Sequence, residues 1–326
     1  MSRHLPRLPR AVRCALLLFF ALLVANCAPS YTLVTDKPDE AIRTETFDFR
    51  KWERKGVEPD TVLIGLHGFC GASIDYENLA KHLKKHQPET AVFAYEVRGQ
   101  GRDPLKERRG DIDDPENWST DLLAFTEMVK QEHPDARIVW FGESMGSLIL
   151  SHTYHDTIAA GKEAPCDAIG ITSPVVKIRD DFPTWKKELV RGLSKIAPGA
   201  RVSLDALSGG EPVQMTEDTV HSDQSETNSW HIDKHTLRLL VTLGDMIEEM
   251  PDCASLYQVP TIVLHGGNDF FTSPDDVKAF TARIPDSTQV TRKFYPEGHH
   301  LLMYDKVKDE VITDIATWLD QLRAKG

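Results

Sequence analysis

The strongest constraint on the fold is an alternation that runs through most of the chain. Short apolar runs rich in β-branched and aromatic residues take turns with amphipathic stretches of helical period. The runs are "TVLIGLHG" (Thr61–Gly68), "TAVFAYEV" (Thr90–Val97), "RIVWFG" (Arg137–Gly142), "DAIGITS" (Asp167–Ser173), "PTIVLHGG" (Pro260–Gly267) and "QVTRKFYP" (Gln289–Pro296). Several are apolar almost from end to end, as strands covered on both faces of a parallel sheet must be. The stretches between them carry helical spacing: Leu79 and Leu83, then Leu122, Phe125 and Val129, and near the end Val307, Val311, Ile315 and Leu319. This alternation predicts an α/β domain with a mostly parallel central sheet and helices on both faces.

The pattern breaks between about residues 174 and 250. Two helical pieces, Pro183–Lys195 and His231–Met250, are joined by a polar, Gly- and Ser-rich connector too long for an ordinary link in a compact domain. It reads as an insertion carried between two core strands, over the mouth of a site. In the second piece Ile232, Leu239, Leu240, Leu243, Ile247 and Met250 lie near one face. That face either docks on the core or forms a lid that lines an acyl pocket or touches lipid.

Within "RIVWFGESMGSLIL" a buried strand stops at Gly142-Glu143-Ser144-Met145-Gly146 and an apolar helix begins. A turn this sharp needs Gly142 and Gly146, where side chains would strike neighbouring backbone. It leaves the Ser144 hydroxyl at the strand's C-terminal end, beside the free N–H groups of the helix N-terminus. Ser144 is therefore the candidate nucleophile. A serine hydroxyl needs a base, itself oriented by an acid, and in a doubly wound sheet both lie on loops after later strands. Asp269 follows "PTIVLHGG"; His299 and His300 follow "RKFYP". Of the two histidines His299 is preferred, because Gly298 allows a loop that swings its ring inward, while His300 stays open. His67 and His265 suit structural roles, and His221, His231 and His235 belong to the insertion. Oxyanion donors are expected at the backbone N–H of Met145 and of Phe69 in "LHGFCGAS". Such a mechanism needs no metal or organic cofactor, and its activity rises through the imidazole pKa, about 6.5 before perturbation.

The net charge of −12 argues against a nucleic-acid partner, which would want a basic face. The cysteines Cys70, Cys166 and Cys253 are too far apart for a disulfide framework and offer no CxxC metal pair; they read as small buried residues, with one disulfide left open.

The first residues are of another kind. Arg3, Arg7, Arg10 and Arg13 precede the apolar run Ala15–Ala25, too short to span a bilayer at about 20 residues and suited to an export signal. "VANC" at Val24–Cys27 resembles the lipobox of bacterial lipoproteins, although Asn26 stands where Gly, Ala or Ser is usual. Ordinary cleavage and an uncleaved anchor stay open. The resemblance implies a signal peptide over 1–26, lipidation of Cys27, a tether over 27–43 and attachment to a membrane of the cell envelope. Ala28 after the lipobox implies outer-membrane sorting.

The body, 44–326, resembles the α/β-hydrolases, in particular bacterial monoacylglycerol lipase and lysophospholipase-like serine hydrolases. The matching stretches are "LHGFCGAS", "VRGQGRDPLKERRGDI" (Val97–Ile112), Asp121–Ile149, "PTIVLHGGNDFFTSP" and "YPEGHHLLMYD" (Tyr295–Asp305), in the family's order. The resemblance implies an α/β-hydrolase fold with a helical cap over about 174–250, Ser144 as nucleophile, Asp269 as acid, His299 as base, and Phe69 with Met145 as oxyanion donors. It implies an acyl-ester lipid substrate, with a small-ester or thioester hydrolase, a non-catalytic binding lipoprotein and a peptide hydrolase as alternatives. Departures are Gln100 for a frequent His, Asp103 for a frequent Ser, and Ser147 for a frequent Gly.

Overall fold

A computed structural model describes residues 41–44, 46–178, 183–203, 214–217 and 230–324. The expected signal peptide, Cys27 and most of the tether lie outside the described residues. Eight described strands form one sheet in the order β1-β2-β4-β3-β5-β6-β9-β10: β1 (Ala41–Arg43), β2 (Asp48–Trp52), β3 (Thr61–Leu66), β4 (Thr90–Tyr95), β5 (Arg137–Glu143), β6 (Ala168–Thr172), β9 (Thr261–Gly266) and β10 (Val290–Tyr295). All neighbours from β4 to β10 are parallel, whereas β1 and β2 add an antiparallel edge. Those two edge strands have no counterpart among the expected runs. The sheet is the mostly parallel one of an α/β-hydrolase fold.

Side chains along the central strands alternate between two cores. Val62, Ile64 and Leu66 of β3 with Ile138 and Trp140 of β5 face one core, which α2 (Glu116–Glu132) covers with Leu122, Phe125 and Val129. Leu63 with Val139 and Phe141 face the other, covered by α1 (Glu77–His86) through Leu79 and Leu83 and by the C-terminal helix Lys308–Arg323 through Val311, Ile315 and Leu319. Each such fully buried side chain contributes about 1.5–3 kcal/mol, so the apolar spacing suffices to dock the helices.

Between β6 and β9 come α4 (Thr184–Ile196), the short antiparallel pair β7 (Arg201–Val202) and β8 (His235–Thr236), and α5 (Leu237–Ala254). The second helical piece starts later than expected because His235 and Thr236 pair with β7; the Thr236 side chain then accepts the Leu239 N–H as N-cap. Leu239, Met250 and Ala254 of α5 are buried against the core, alongside α3 (Met145–Ala159). Its apolar face therefore docks inward. The apolar face of α4 does not: Trp185, Leu189, Leu193 and Ile196 are 65%, 50%, 45% and 83% exposed. No described helix is long and apolar enough to cross a membrane.

The strand order reverses at β3: β4 lies on one side and β5 on the other. In open α/β sheets the crevice beyond the C-terminal strand ends at such a switch point is where ligands bind. The loops after β3 and β5 meet there.

Candidate active site

Ser144 stands between β5 and α3 with φ 52° and ψ −115°, a left-handed backbone that a non-glycine residue adopts only under constraint. The constraint is visible in its neighbours. A Cβ on Gly146 would lie 2.0 Å from the Leu66 carbonyl oxygen, and one on Gly142 would lie 2.6 Å from the Gly146 carbonyl. Only glycines let the first turn of α3 press against the end of β3. The Ser144 N–H donates to the Thr172 carbonyl at 3.0 Å, and the Ser147 hydroxyl donates to the Gly142 carbonyl at 2.9 Å. Ser147, where the resemblance leads one to look for glycine, thus ties the turn together.

The structure brings Ser144, His300 and Asp269 into one line. His300 Nε2 lies 2.8 Å from Ser144 Oγ, and its Nδ1 lies 2.8 Å from Asp269 Oδ2. With the Nδ1–H donating to the carboxylate, Nε2 is the lone-pair nitrogen that accepts from the serine. The other Asp269 oxygen accepts the Phe271 N–H at 2.8 Å. Burial would raise the Asp269 carboxyl, but His300, by charge and hydrogen bond, and the Phe271 N–H outweigh it, so the group sits below its ordinary value. The ring of Phe271 meets that of His300 edge-on at 4.7 Å, and the Ser173 hydroxyl donates to the His300 carbonyl at 2.5 Å.

The expectation that His299 faces Ser144 is corrected. His299 donates its backbone N–H to Asp305 Oδ2 at 2.6 Å, and its ring Nδ1 lies 3.1 Å from the same oxygen. Asp305 thereby turns His299 away and leaves the next residue to enter the site. Gly298 has no left-handed φ, and the loop it stands in brings the ring of His300, not that of His299, to Ser144. The part of Gly298 is close packing: a Cβ on it would lie 2.7 Å from Leu302 Cδ2 and 3.1 Å from Tyr295 Cβ. Asp305, six residues downstream in "HHLLMYD", was the overlooked signal.

The loop after β3 reaches the same place. A Cβ on Gly68 would lie 3.2 Å from the Ser144 Cβ, which sets the following residue, Phe69, beside the serine. Met145 opens α3 directly after Ser144. His67 behaves as a structural histidine. It is fully buried, accepts the Val97 N–H on Nε2 at 3.0 Å and donates from Nδ1 to the Gly68 carbonyl at 3.0 Å; burial lowers its pKa. His265 is also buried, its Nδ1 3.8 Å from Asp269, and burial likewise lowers it. Behind the turn, Glu143 is buried with one carboxyl oxygen lacking a hydrogen-bond partner; burial, then nearby Asp75, pushes it up to about 8. Cys70, Cys166 and Cys253 are free thiols.

The profile of the serine aminopeptidase S33 family matches residues 57–307. Monoglyceride lipase of Rattus norvegicus is 24% identical over 281 residues, covering 83% of this chain and 85% of the rat protein. An abhydrolase domain-containing protein of Dictyostelium discoideum is 22% identical over 277 residues, 85% of this chain; the chain spans only 28% of that protein's length. Among solved structures, a soluble variant of monoglyceride lipase from Saccharomyces cerevisiae in complex with a substrate analog superposes with a TM-score of 0.71 at 18% identity. That match covers 90% of this chain and 99% of the other.

Proposed function

Because the chain belongs to the serine aminopeptidase S33 family of α/β-hydrolases, we propose that Ser144, His300 and Asp269 are a catalytic triad that hydrolyses carboxylic esters of single-chain lipids. The observation that carries this reading is the unbroken hydrogen-bonded line from Ser144 through His300 to Asp269. His300 Nε2 takes the hydroxyl proton as Ser144 Oγ attacks the ester carbonyl carbon. The tetrahedral oxyanion is held by the N–H groups of Met145 and Phe69. His300 then protonates the leaving alcohol, and the acyl group stays on Ser144. Water enters, gives a proton to His300, and attacks the acyl carbon; collapse returns the proton to Ser144 and releases the fatty acid. Asp269 stays ionised throughout and keeps the imidazole in the tautomer the steps require.

Two observations favour a lipid over a small soluble ester. Residues 174–250, taken as the cap, carry the exposed apolar stripe of α4, which suits a hydrocarbon surface. The rat and yeast proteins similar to this chain are monoglyceride lipases. The family's name favours the second reading, cleavage of peptides from a free N-terminus by the same triad. The acids of Asp180-Asp181, which would suit that amine, lie outside the described residues. From the leader sequence we also propose lipidation at Cys27 and residence at the outer membrane of a bacterial envelope, checked by palmitate labelling of the wild type and of Cys27→Ala.

The chain from residue 28 is offered p-nitrophenyl esters from acetate to palmitate, monooleoylglycerol and alanine p-nitroanilide. The lipid reading expects turnover that favours medium or long acyl chains and a loss of about 10³-fold or more in Ser144→Ala. Preference for acetate points to a small-ester hydrolase, preference for the anilide to a peptidase, and inactivity on all three to a binding scaffold.

A further inference from the structure

The stretch 97–112 has no place in the triad, yet it joins two parts of the site. On one side it grips the loop that carries Phe69. Gln100 is fully buried, and its Oε1 accepts the Cys70 N–H at 3.1 Å. Cys70 itself has φ +60°, a left-handed backbone that is unusual for a non-glycine residue and costs on the order of 1–3 kcal/mol unless it is held. Next to Gln100, a Cβ on Gly101 would lie 1.7 Å from the Gly71 carbonyl oxygen, so the two loops are in direct backbone contact.

On its other side the same stretch fastens the β7–β8 pair. The Thr236 N–H donates to the Gly110 carbonyl at 2.8 Å, and the Thr236 hydroxyl donates to Asp111 at 2.6 Å. Arg238 Nε donates to Asp111 at 2.7 Å, and Arg201 donates to the Arg109 carbonyl at 2.7 Å. These contacts set His235 of β8 on the Phe69 loop. The His235 ring lies 4.4 Å from the ring of Phe69, and its Nε2 lies 3.3 Å from Cys70 Sγ. Burial pulls the imidazole down to about 4 and pushes the thiol up to about 12, so the pair is neutral and braces the loop without being a nucleophilic dyad.

We propose that Gln100 and His235 are positioning residues that hold the Phe69–Cys70 segment, one by its backbone and the other by its side chains, and thereby aim the Phe69 N–H at the oxyanion. This rests on the reading of Ser144 as nucleophile and Phe69 as oxyanion donor. Gln100 fixes the peptide that follows Phe69, and His235 fixes the Phe69 side chain; with two of the substituents of the Phe69 Cα held, the third, its N–H, has one direction. The insertion thereby contributes to the chemistry through β8.

The test uses the full chain and four variants: Gln100→Met, which keeps shape but loses the acceptor; Gln100→Glu, which keeps an acceptor oxygen; His235→Ala; and His235→Phe, which keeps the ring contact with Phe69. Each is assayed on a p-nitrophenyl ester and titrated with an alkyl trifluoromethyl ketone, whose adduct carries the tetrahedral oxyanion. Gln100→Met and His235→Ala are expected to lower kcat by about 10- to 100-fold with KM within about threefold. Ketone affinity should weaken in step with kcat/KM, and the shape of the pH–rate profile should match that of the wild type. Gln100→Glu and His235→Phe are expected to recover most of the loss. Unchanged kcat in the folded Gln100→Met and His235→Ala proteins, or a fall in melting temperature with ketone affinity intact, overturns the inference. His235→Ala decides alone if Gln100→Met does not fold. Ser144→Ala, assayed alongside, separates the two levels. If it keeps wild-type activity, the triad reading falls and this inference with it; if it is inactive while the clamp variants are normal, the clamp alone is wrong.

Discussion

His300 Nε2 stands 2.8 Å from Ser144 Oγ, while the adjacent His299 ring lies 3.1 Å from Asp305. Two neighbouring histidines thus have different partners and should respond differently to removal. His300→Ala is expected to lower kcat by about 10³-fold or more. His299→Ala should keep kcat within about tenfold and lower the melting temperature, since Asp305 loses its ring contact. Steady-state kinetics and thermal melts of the two variants check this.

Asp269 holds the imidazole tautomer, so Asp269→Asn should lower kcat by about 10²–10⁴-fold with little change in KM. The carboxyl lies below its ordinary value in the folded protein. A depressed carboxyl contributes stability that is fully present above the unfolded pKa, about 3.9, and lost as pH falls through the folded value. The melting-temperature difference between wild type and Asp269→Asn should therefore shrink as pH is lowered from about 5 to about 3.

Two glycine substitutions should move stability in opposite directions. Gly146→Ala forces a methyl to 2.0 Å from a backbone oxygen, and should drop the melting temperature by about 10 °C or prevent folding. Gly192, inside α4, has nothing within 4 Å of a built Cβ and no left-handed φ. Gly192→Ala should stabilise by about 0.5–1 kcal/mol. Denaturant melts of both variants provide the comparison.

Glu143 is pushed up to about 8 by burial and by Asp75. A carboxyl raised on folding binds a proton that the unfolded chain has already released between about pH 4 and 8, so stability falls across that window as pH rises. Glu143→Gln mimics the protonated acid. Its stability relative to wild type should grow from near zero at about pH 4.5 to a few kcal/mol at about pH 8. Urea denaturation at a series of pH values measures the difference.

Strands buried on both faces were legible because nearly every residue in them is apolar, as in "TVLIGLHG", and the turn at Ser144 because its two glycines stand where side chains have no room. The edge strand β2, "DFRKW", was not. It buries Phe49, Arg50 and Trp52 but carries three charges in five residues, so no apolar run announces it. β7 and β8 hold two residues each, too few for any periodicity. The choice between His299 and His300 depended on which carboxylate each ring would find. The spacing to Asp305 bears on that, whereas the glycine before the pair does not. Contacts such as Gln100 to Cys70 and His235 to Phe69 join residues about 30 and 166 positions apart, and local pattern carries no trace of them.

The most direct test of the triad is where an alkyl fluorophosphonate attaches. After brief exposure of the intact protein, peptides are mapped by mass spectrometry in wild type, Ser144→Ala and His300→Ala. The triad account expects one adduct, on the peptide containing Ser144, absent in Ser144→Ala and formed at least about 100-fold more slowly in His300→Ala. An adduct on another serine, or equal labelling rates in wild type and His300→Ala, would contradict it.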